Sequence, residues 1–125
     1  MTSISKFVLL VEPVPASRPR VTRWGVYYGK RYTQFRKDAE AVLEGMELGE
    51  PIDTEIAVHL EFYCRRPKTT KRTAPRGDID NYAKAILDSI SGHLISDDDL
   101  ITKLTARKMF DDSDNPRIIV TIFTP

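Results

Sequence analysis

The pattern of apolar and polar positions predicts four strands along the chain. A continuous apolar run at residues 6–12 is followed by two prolines and is typical of a buried strand. Residues 55–64 alternate between apolar and polar side chains, which predicts a strand with one buried face. Two more strands are predicted at residues 101–110 and 117–123, and the sequence DDSDNP between them is typical of a hairpin loop.

Two segments have the apolar spacing of an α-helix. The first is predicted from Thr33, which can cap its N-terminus, to about Met46. The second is predicted from about Ile79 to Ser91 and has an apolar stripe along one side. Before the first helix, residues 15–31 are rich in proline, glycine and charge, which indicates a long loop or a loose hairpin.

The order of these elements is β-α-β-α-β-β, without an internal repeat or linker. It predicts a single α+β domain over residues 1–125, with two helices packed on a mixed β-sheet. The length of 125 residues and the hydrophobic fraction of 41% are sufficient for a buried core. The single cysteine, Cys64, lies in the alternating strand, where we expect a small core residue rather than a nucleophile.

The apolar run "FVLLV" near the N-terminus is too short for a signal peptide or a membrane span. We therefore expect a cytoplasmic protein without a membrane partner. No organic cofactor is expected.

Basic residues are concentrated in two segments, although the formal net charge is only +1. The first basic segment, residues 17–37, contains seven Lys and Arg and no acid; the second, residues 65–76, contains six and no acid. Such segments favour a polyanionic partner even in a nearly neutral protein. The candidates for phosphate contacts are Arg18, Arg20, Arg23, Lys30, Arg31, Arg65, Arg66, Lys68, Lys71, Arg72 and Arg76.

Four aromatic residues lie within the first basic segment. Aromatic rings between arginines suit stacking on unpaired bases, and they equally suit packing within a loop. These residues are Trp24, Tyr27, Tyr28 and Tyr32.

Acidic residues are concentrated around the second predicted helix. Asp80, Lys84 and Asp88 follow one another at four-residue steps and form a polar seam on it. Asp78 lies at its start, and a run of three aspartates, residues 97–99, follows the helix after a short connection. We expect this run to fold back beside the same helix end, so that three or four carboxylates converge. Such a set of oxygen ligands suits Mg²⁺ or Mn²⁺.

Each acidic feature also has a simpler interpretation. Asp78 alone fits a helix N-cap, Asp80 with Lys84 fits a surface ion pair, and the aspartate run fits a solvated loop. None of these explains all of the features together beside two basic segments. An EF-hand is excluded because, counting from Asp78, the sixth residue is Ala83 instead of glycine and the twelfth is Ser89 instead of glutamate.

Basic segments combined with clustered carboxylates favour metal-dependent hydrolysis of a phosphodiester. Cations hold the phosphates, and a bound metal lowers the pKa of a water molecule and stabilises the leaving oxygen. Lys84, one turn from Asp80, has the position to neutralise charge on the phosphate or to orient the water. Two alternatives remain: a DNA-binding module whose acids only organise a loop, and a nuclease for flaps or RNA.

The stretch "GDIDNYAKAILDSISGHLISDDDLI" resembles the core of the RusA family of Holliday junction resolvases. The similarity is specific over about residues 76–101 and holds only in outline elsewhere. Gly77 stands where the family often has a basic residue or proline, and Asp99 extends the later acidic pair to three. The residues that match the signature are Asp78, Asp80, Asn81, Lys84, Asp88, Asp97, Asp98 and Ile101.

The resemblance implies a homodimer that binds four-way DNA junctions and cuts two opposed strands symmetrically with Mg²⁺, for which Mn²⁺ can substitute. It implies that the basic candidates bind DNA. By position, the catalytic residues would be Asp78, Asp80, Asp98 and the base Lys84, and Asp97 would join the three acids as a metal ligand.

Overall fold

The computed structural model describes residues 3–124. The strands are β1 (Ser3–Leu9), β2 (Arg20–Thr22), β3 (Gly25–Tyr27), β4 (Ile56–Arg65), β5 (Ile101–Asp111) and β6 (Arg117–Thr124). The helices are α1 (Lys30–Glu44) and α2 (Ile79–Ile90), and a short 3₁₀ turn, η1 (Asp98–Leu100), precedes β5.

Four strands form one mixed sheet in the order β1-β6-β4-β5. β6 is antiparallel to both of its neighbours, whereas β4 and β5 run parallel. Parallel neighbours need a crossover connection, and here the chain crosses through α2. The predicted α+β class and the order of the main elements are confirmed. Of the long loop and the loose hairpin that the sequence allows for residues 15–31, the structure shows the hairpin, formed by the antiparallel pair β2 and β3.

The alternation of β4 explains the position of the core. Its inward residues Ile56, Val58, Leu60 and Phe62 are buried, as the pattern predicted. Both helices bury their apolar residues in the same core. Cys64 is also buried there, and burial raises the pKa of its thiol to about 11, so it stays protonated at neutral pH. The interpretation of Cys64 as a core residue agrees with this environment.

The opposite face of the sheet is a mixture of partly exposed apolar and polar side chains. Ile4 and Val8 of β1 are 68% and 41% exposed, and they lie opposite Phe123 and Ile119 of β6. On β4 this face includes His59, which is hydrogen-bonded to Thr105 of β5 at 2.5 Å.

The predicted start of the first strand is displaced by three residues. β1 spans Ser3–Leu9 instead of residues 6–12. The reason is its partner: the ladder ends with Leu9 opposite Ile118, at the beginning of β6. A short run of apolar residues does not reveal where its partner strand stops.

The predicted cap of the first helix is wrong. α1 begins at Lys30, and Gly29 occupies the N-cap position. The Gly29 N–H donates to the hydroxyl of Ser17 at 3.1 Å, a contact between residues twelve positions apart. Thr33 lies inside the first turn, where its N–H donates to the Gly29 carbonyl at 3.0 Å.

Candidate active site and DNA-binding surface

The segment that leads into α2 is packed closely against two other parts of the molecule. Gly77 has φ +97°, in the region that favours glycine. A Cβ atom at this position would lie 3.0 Å from Cγ of Pro15 and 3.1 Å from Cε2 of Tyr82. Glycine is therefore required here by conformation and by space, which gives a physical reason for the departure at Gly77 from the family pattern.

Three successive carbonyl groups of this segment are held by side chains. Nζ of Lys108, on β5, donates to the carbonyls of Pro75 at 2.7 Å and Gly77 at 2.5 Å. The hydroxyl of Tyr82, on α2, donates to the carbonyl of Arg76 at 2.6 Å. Residues 75–77 are thus fixed from two sides just before Asp78. We call residues 75–77 the strap.

Asp78 and Asp80 stand at the end of the strap with unengaged carboxylates. Asp78 occupies the N-cap position of α2 in extended conformation, but its side chain makes no capping hydrogen bond. Asp80 lies in the first turn, where the helix dipole favours a negative charge. Both residues are exposed, and among residues 3–124 neither takes part in an ion pair.

Further along α2, the polar seam is occupied by a network centred on Asp88. Nζ of Lys84 lies 3.3 Å from Oδ2 of Asp88. The hydroxyl of Tyr32 donates to the same oxygen at 3.4 Å, and Nη2 of Arg36 donates to the Asp88 carbonyl at 3.4 Å. Lys84 therefore pairs with Asp88, and the alternative of an Asp80–Lys84 ion pair is not seen.

The aspartate run lies in the exposed connection between α2 and β5 and engages itself. Asp97 accepts a hydrogen bond from the N–H of Asp99 at 3.2 Å, and this bond lowers the pKa of Asp97. A hydrogen bond to Asp97, followed by desolvation and the charges of Asp97 and Asp88, raises the pKa of Asp98. Asp98 thus lies within electrostatic reach of Asp88, near the C-terminal end of α2.

The structure separates the predicted ligands into two groups. Asp80 and Asp88 are eight positions apart on the helix, which is about 12 Å along its axis. Asp78 and Asp80 occupy the N-terminal end of α2, whereas Asp97 and Asp98 lie towards its other end. Within residues 3–124, no three His, Cys, Asp or Glu side chains lie close enough together to hold one metal ion. The expected convergence is therefore absent from a single copy of the chain.

The chemistry of both groups nevertheless suits a hard divalent cation. Mg²⁺ prefers oxygen ligands and commonly binds through one or two carboxylates, water and a substrate phosphate. Asp78 and Asp80 offer carboxylates without a competing protein partner. Two carboxylates are compatible with that mode of binding, so the residues fit a metal that is completed by substrate or by a second copy.

All eleven predicted DNA-binding residues are exposed, but they differ in their partners. Nη1 of Arg65 lies 2.9 Å from Asp114, and Nε of Arg66 lies 2.7 Å from Asp112, both in the β5–β6 turn. No acid pairs with the remaining nine within the described part of the chain. These nine are Arg18, Arg20, Arg23, Lys30, Arg31, Lys68, Lys71, Arg72 and Arg76.

The aromatic residues of the first basic segment also divide. Trp24, at the tip of the β2–β3 hairpin, is 75% exposed, and the Arg23 guanidinium stacks 4.8 Å from its ring centroid. Tyr27 and Tyr28 are each 53% exposed. Tyr32 is buried and serves the Asp88 network, so its ring is a wall of the core.

Lys108 is a functional candidate that the sequence interpretation missed. The apolar pattern of β5 is weak, and Lys108 stands in register with the buried Phe62 of β4, on the face that packs against the helices. A lysine at an inward position of a strand is a usable signal, because its ammonium group must find oxygen partners. Here the partners are the strap carbonyls.

Comparison with known families identifies the class of protein. The model of the family "Endodeoxyribonuclease RusA" matches residues 11–123, nearly the whole chain. The chain belongs to the RusA endodeoxyribonuclease family. Membership indicates Holliday junction resolvase nuclease activity on branched DNA. No curated protein matches the chain. Neither helix within residues 3–124 has the length and apolar character needed to cross a bilayer.

Proposed function

We propose that this protein is a metal-dependent endodeoxyribonuclease that resolves four-way DNA junctions by paired, symmetric strand cuts. One observation carries the proposal: the unengaged carboxylates of Asp78 and Asp80 are fixed beside the end of an exposed basic segment. In a family of endodeoxyribonucleases, this combination supports the assignment of these carboxylates as metal ligands and of the neighbouring cations as phosphate contacts.

The ion is Mg²⁺, with Mn²⁺ as a substitute, and its ligands are Asp78, Asp80, Asp97 and Asp98. When bound, such a metal supplies an activated water molecule and stabilises the leaving oxygen. Lys84 carries positive charge on the seam next to Asp80 and neutralises charge on the phosphate. Its contact with Asp88 at 3.3 Å keeps the ammonium group on the seam.

The active form is a homodimer. A four-way junction has approximate two-fold symmetry, and paired cuts on opposed strands need two sites related by a similar axis. A dimer also resolves the separation of the acids, because Asp78 and Asp80 of one copy can be completed by Asp97 and Asp98 of the partner subunit.

The decisive experiment compares substrates and metals side by side. A labelled four-way junction, a linear duplex and a flap are each incubated with Mg²⁺, Mn²⁺ or EDTA. We expect symmetric cuts in the junction with either metal and none in EDTA. Junction binding without cleavage would favour a non-catalytic DNA-binding module, and preferential flap cleavage would favour a nuclease for other branched substrates.

A further inference from the structure

A cavity of about 710 Å³ lies beside the seam and has no role in the chemistry described so far. Its volume is within the range of about 300–1,000 Å³ that is usual for ligand pockets. It opens between α1, α2 and the chain on either side of the hairpin, and its two carboxylates, Glu40 and Asp88, already pair with Arg36 and Lys84. Its lining includes Arg18, Tyr28, Tyr32, Arg36, Asn81 and Lys84.

One wall of the cavity is aromatic. The Tyr28 ring is 53% exposed and meets the buried Tyr32 edge-on, with the ring centroids 5.8 Å apart. The Tyr32 hydroxyl is bonded to Asp88 and Arg36, so this ring is fixed. Tyr28 thus has a rigid support on one side and an open face for stacking on the other.

Asn81 supplies a polar group suited to reading a base. Its backbone carbonyl accepts a hydrogen bond from the N–H of Ala16 at 2.8 Å, which joins α2 to the opposite rim of the cavity. No hydrogen bond to its side-chain amide is present among residues 3–124, although the residue is half-buried. A carboxamide offers a donor and an acceptor together, the combination that pairs with the edge of a base.

Charged groups of the cavity are also incompletely satisfied. Nε of Arg36 is buried and has no hydrogen-bond partner among the described residues, although its Nη atoms contact Tyr32 and Glu40. A buried donor without a partner indicates a missing acceptor. Arg18 and Lys37, also in the lining, are exposed and unpaired with any described acid, so they remain available to a phosphate.

We propose that this cavity binds one unstacked nucleotide of the junction strand, adjacent to the phosphate that is cut. The proposal rests on the proposed function and adds a specificity site to it. Tyr28 stacks on the base, the Asn81 amide contacts its edge, and Arg18 with Lys37 holds its phosphate. Lys84 lines the cavity and also belongs to the polar seam. The bound nucleotide and the reacting phosphate therefore lie on either side of the same lysine.

A nucleotide accounts for the lining better than a free metabolite does. The cavity has an aromatic wall, an amide and exposed cations, which correspond to the base, its edge and the phosphate. The stack of base pairs is interrupted where the four arms of a junction meet. Extruding a base there costs less than within a continuous duplex, because part of its stacking is already lost. The cavity therefore contributes to the choice of branch and of sequence.

The test uses junctions with a single abasic analogue placed in turn at each position near the cleaved phosphate. Binding of the full-length protein is measured in EDTA, so it does not depend on cleavage. We expect one position at which the analogue lowers wild-type affinity about tenfold, as loss of a stacked base does. For Tyr28→Ala, the analogue at that position should change affinity less than twofold.

Tyr27→Ala is the matched control, because Tyr27 has the same 53% exposure and does not line this cavity. It should retain the tenfold abasic penalty at that position. The pocket is overturned if no position matters to the wild type, or if Tyr28→Ala keeps the full penalty. Cleavage of the intact junction in Mg²⁺ is measured separately: a wild type that cleaves but shows no penalty refutes the pocket alone.

Asn81→Ala tests the base edge separately from stacking. Four junctions that differ only in the base at the sensitive position are compared for affinity in EDTA. We expect the wild type to discriminate among them by more than fivefold, as good contacts to a base edge do. The variant should bind all four within twofold and melt cooperatively. A folded Asn81→Ala protein with the wild-type preference would refute the assignment of Asn81.

Discussion

The two ends of α2 carry the same kind of residue in opposite states. At the N-terminal end, Asp78 and Asp80 follow a strap whose three carbonyls are bonded, and their carboxylates are unengaged. Towards the C-terminal end, the side chain of Asp97 accepts a hydrogen bond from the N–H of Asp99 at 3.2 Å in an exposed connection. The first group is organised to receive a ligand. The second is already partly engaged by a hydrogen bond within the aspartate run.

This difference indicates that the N-terminal end of α2 binds the cation first and that the aspartate run completes the site. A pre-formed pair of carboxylates binds a cation with little rearrangement, because the ordering has already been done by folding. Asp97 and Asp98, in the partly engaged aspartate run, are better suited to join the site once a cation and a phosphate are present. We therefore expect changes at the N-terminal end to have the larger effects.

The largest effect is expected from Asp80→Asn. Cleavage should fall by orders of magnitude, because a metal ligand is lost together with the activated water. Junction affinity should persist or increase, since one negative charge facing DNA is removed, and the melting temperature should hardly change. Cleavage rate, affinity in EDTA and thermal melting are measured on the same preparation.

Asp38→Asn is the matched control for Asp80→Asn, because Asp38 is also exposed but lies on α1, where its carboxylate accepts a hydrogen bond from Gln34. It should cleave like the wild type. If Asp80→Asn also cleaved normally and lost only about 1 kcal/mol of stability, Asp80 would be an ordinary residue of a helix terminus.

Mixing two inactive variants tests whether the two ends meet across a dimer. Asp80→Asn and Asp98→Asn should each be inactive alone. Equal mixing with subunit exchange gives heterodimers with one intact composite site, so about a quarter of the strand-cutting activity should return. The product should be nicked junctions, because each heterodimer has a single working site. A mixture as inactive as its components would show that each chain builds its site alone.

Lys108→Met tests the strap that organises the N-terminal end. Loss of two charge-assisted bonds should cost about 1–3 kcal/mol of stability. It should also lower kcat and raise the Mg²⁺ concentration needed for half-maximal cleavage, because Asp78 is less well positioned. Junction affinity in EDTA should change less than twofold.

Lys108→Arg separates positioning from simple destabilisation. Arginine keeps the charge and the donors, so it should restore a large part of the Mg²⁺ response. If Lys108→Met lowered stability without any shift in the Mg²⁺ requirement, the strap would have a purely structural role.

The smallest effect concerns the second basic segment. Replacing Lys68 and Lys71 by Gln should reduce the log–log salt slope of duplex-arm binding by about 0.9 for each lost phosphate contact. Replacing Arg65 and Arg66 should reduce it less, because Asp114 and Asp112 already pair with them. Salt titrations of the two double variants measure this difference in slope. Equal slopes would mean that DNA displaces these ion pairs.

Periodicity predicted the faces of the elements but not how they meet. The alternation of β4 located the buried face, and the apolar stripe located α2 to within one residue at its end. The error about convergence comes from the parallel pairing of β4 with β5. Parallel pairing carries the chain back along α2, so the aspartate run arrives at the far end of the helix. Hydrophobic patterns do not encode the direction of pairing.

Contacts between distant parts of the chain were also invisible to local patterns. The cap at Gly29 is supported by Ser17, and the strap is held by Lys108, more than thirty positions after Pro75. Gly77 showed only as a departure from a family pattern, and its reason appears only when Pro15 and Tyr82 are seen on either side.

The close contact between Gly77 and Pro15 fixes the distance between the two basic segments at one point. Pro15 lies just before the first basic segment, and Gly77 lies just after the second. Gly77 lies between Pro15 and Tyr82 of α2, and a Cβ added to Gly77 would be only 3.0 Å from the proline ring. This contact therefore sets the spacing of the phosphates that the two basic segments can contact at the same time. We expect the preference for branched over linear DNA to depend on this backbone contact as much as on the arginines and lysines themselves.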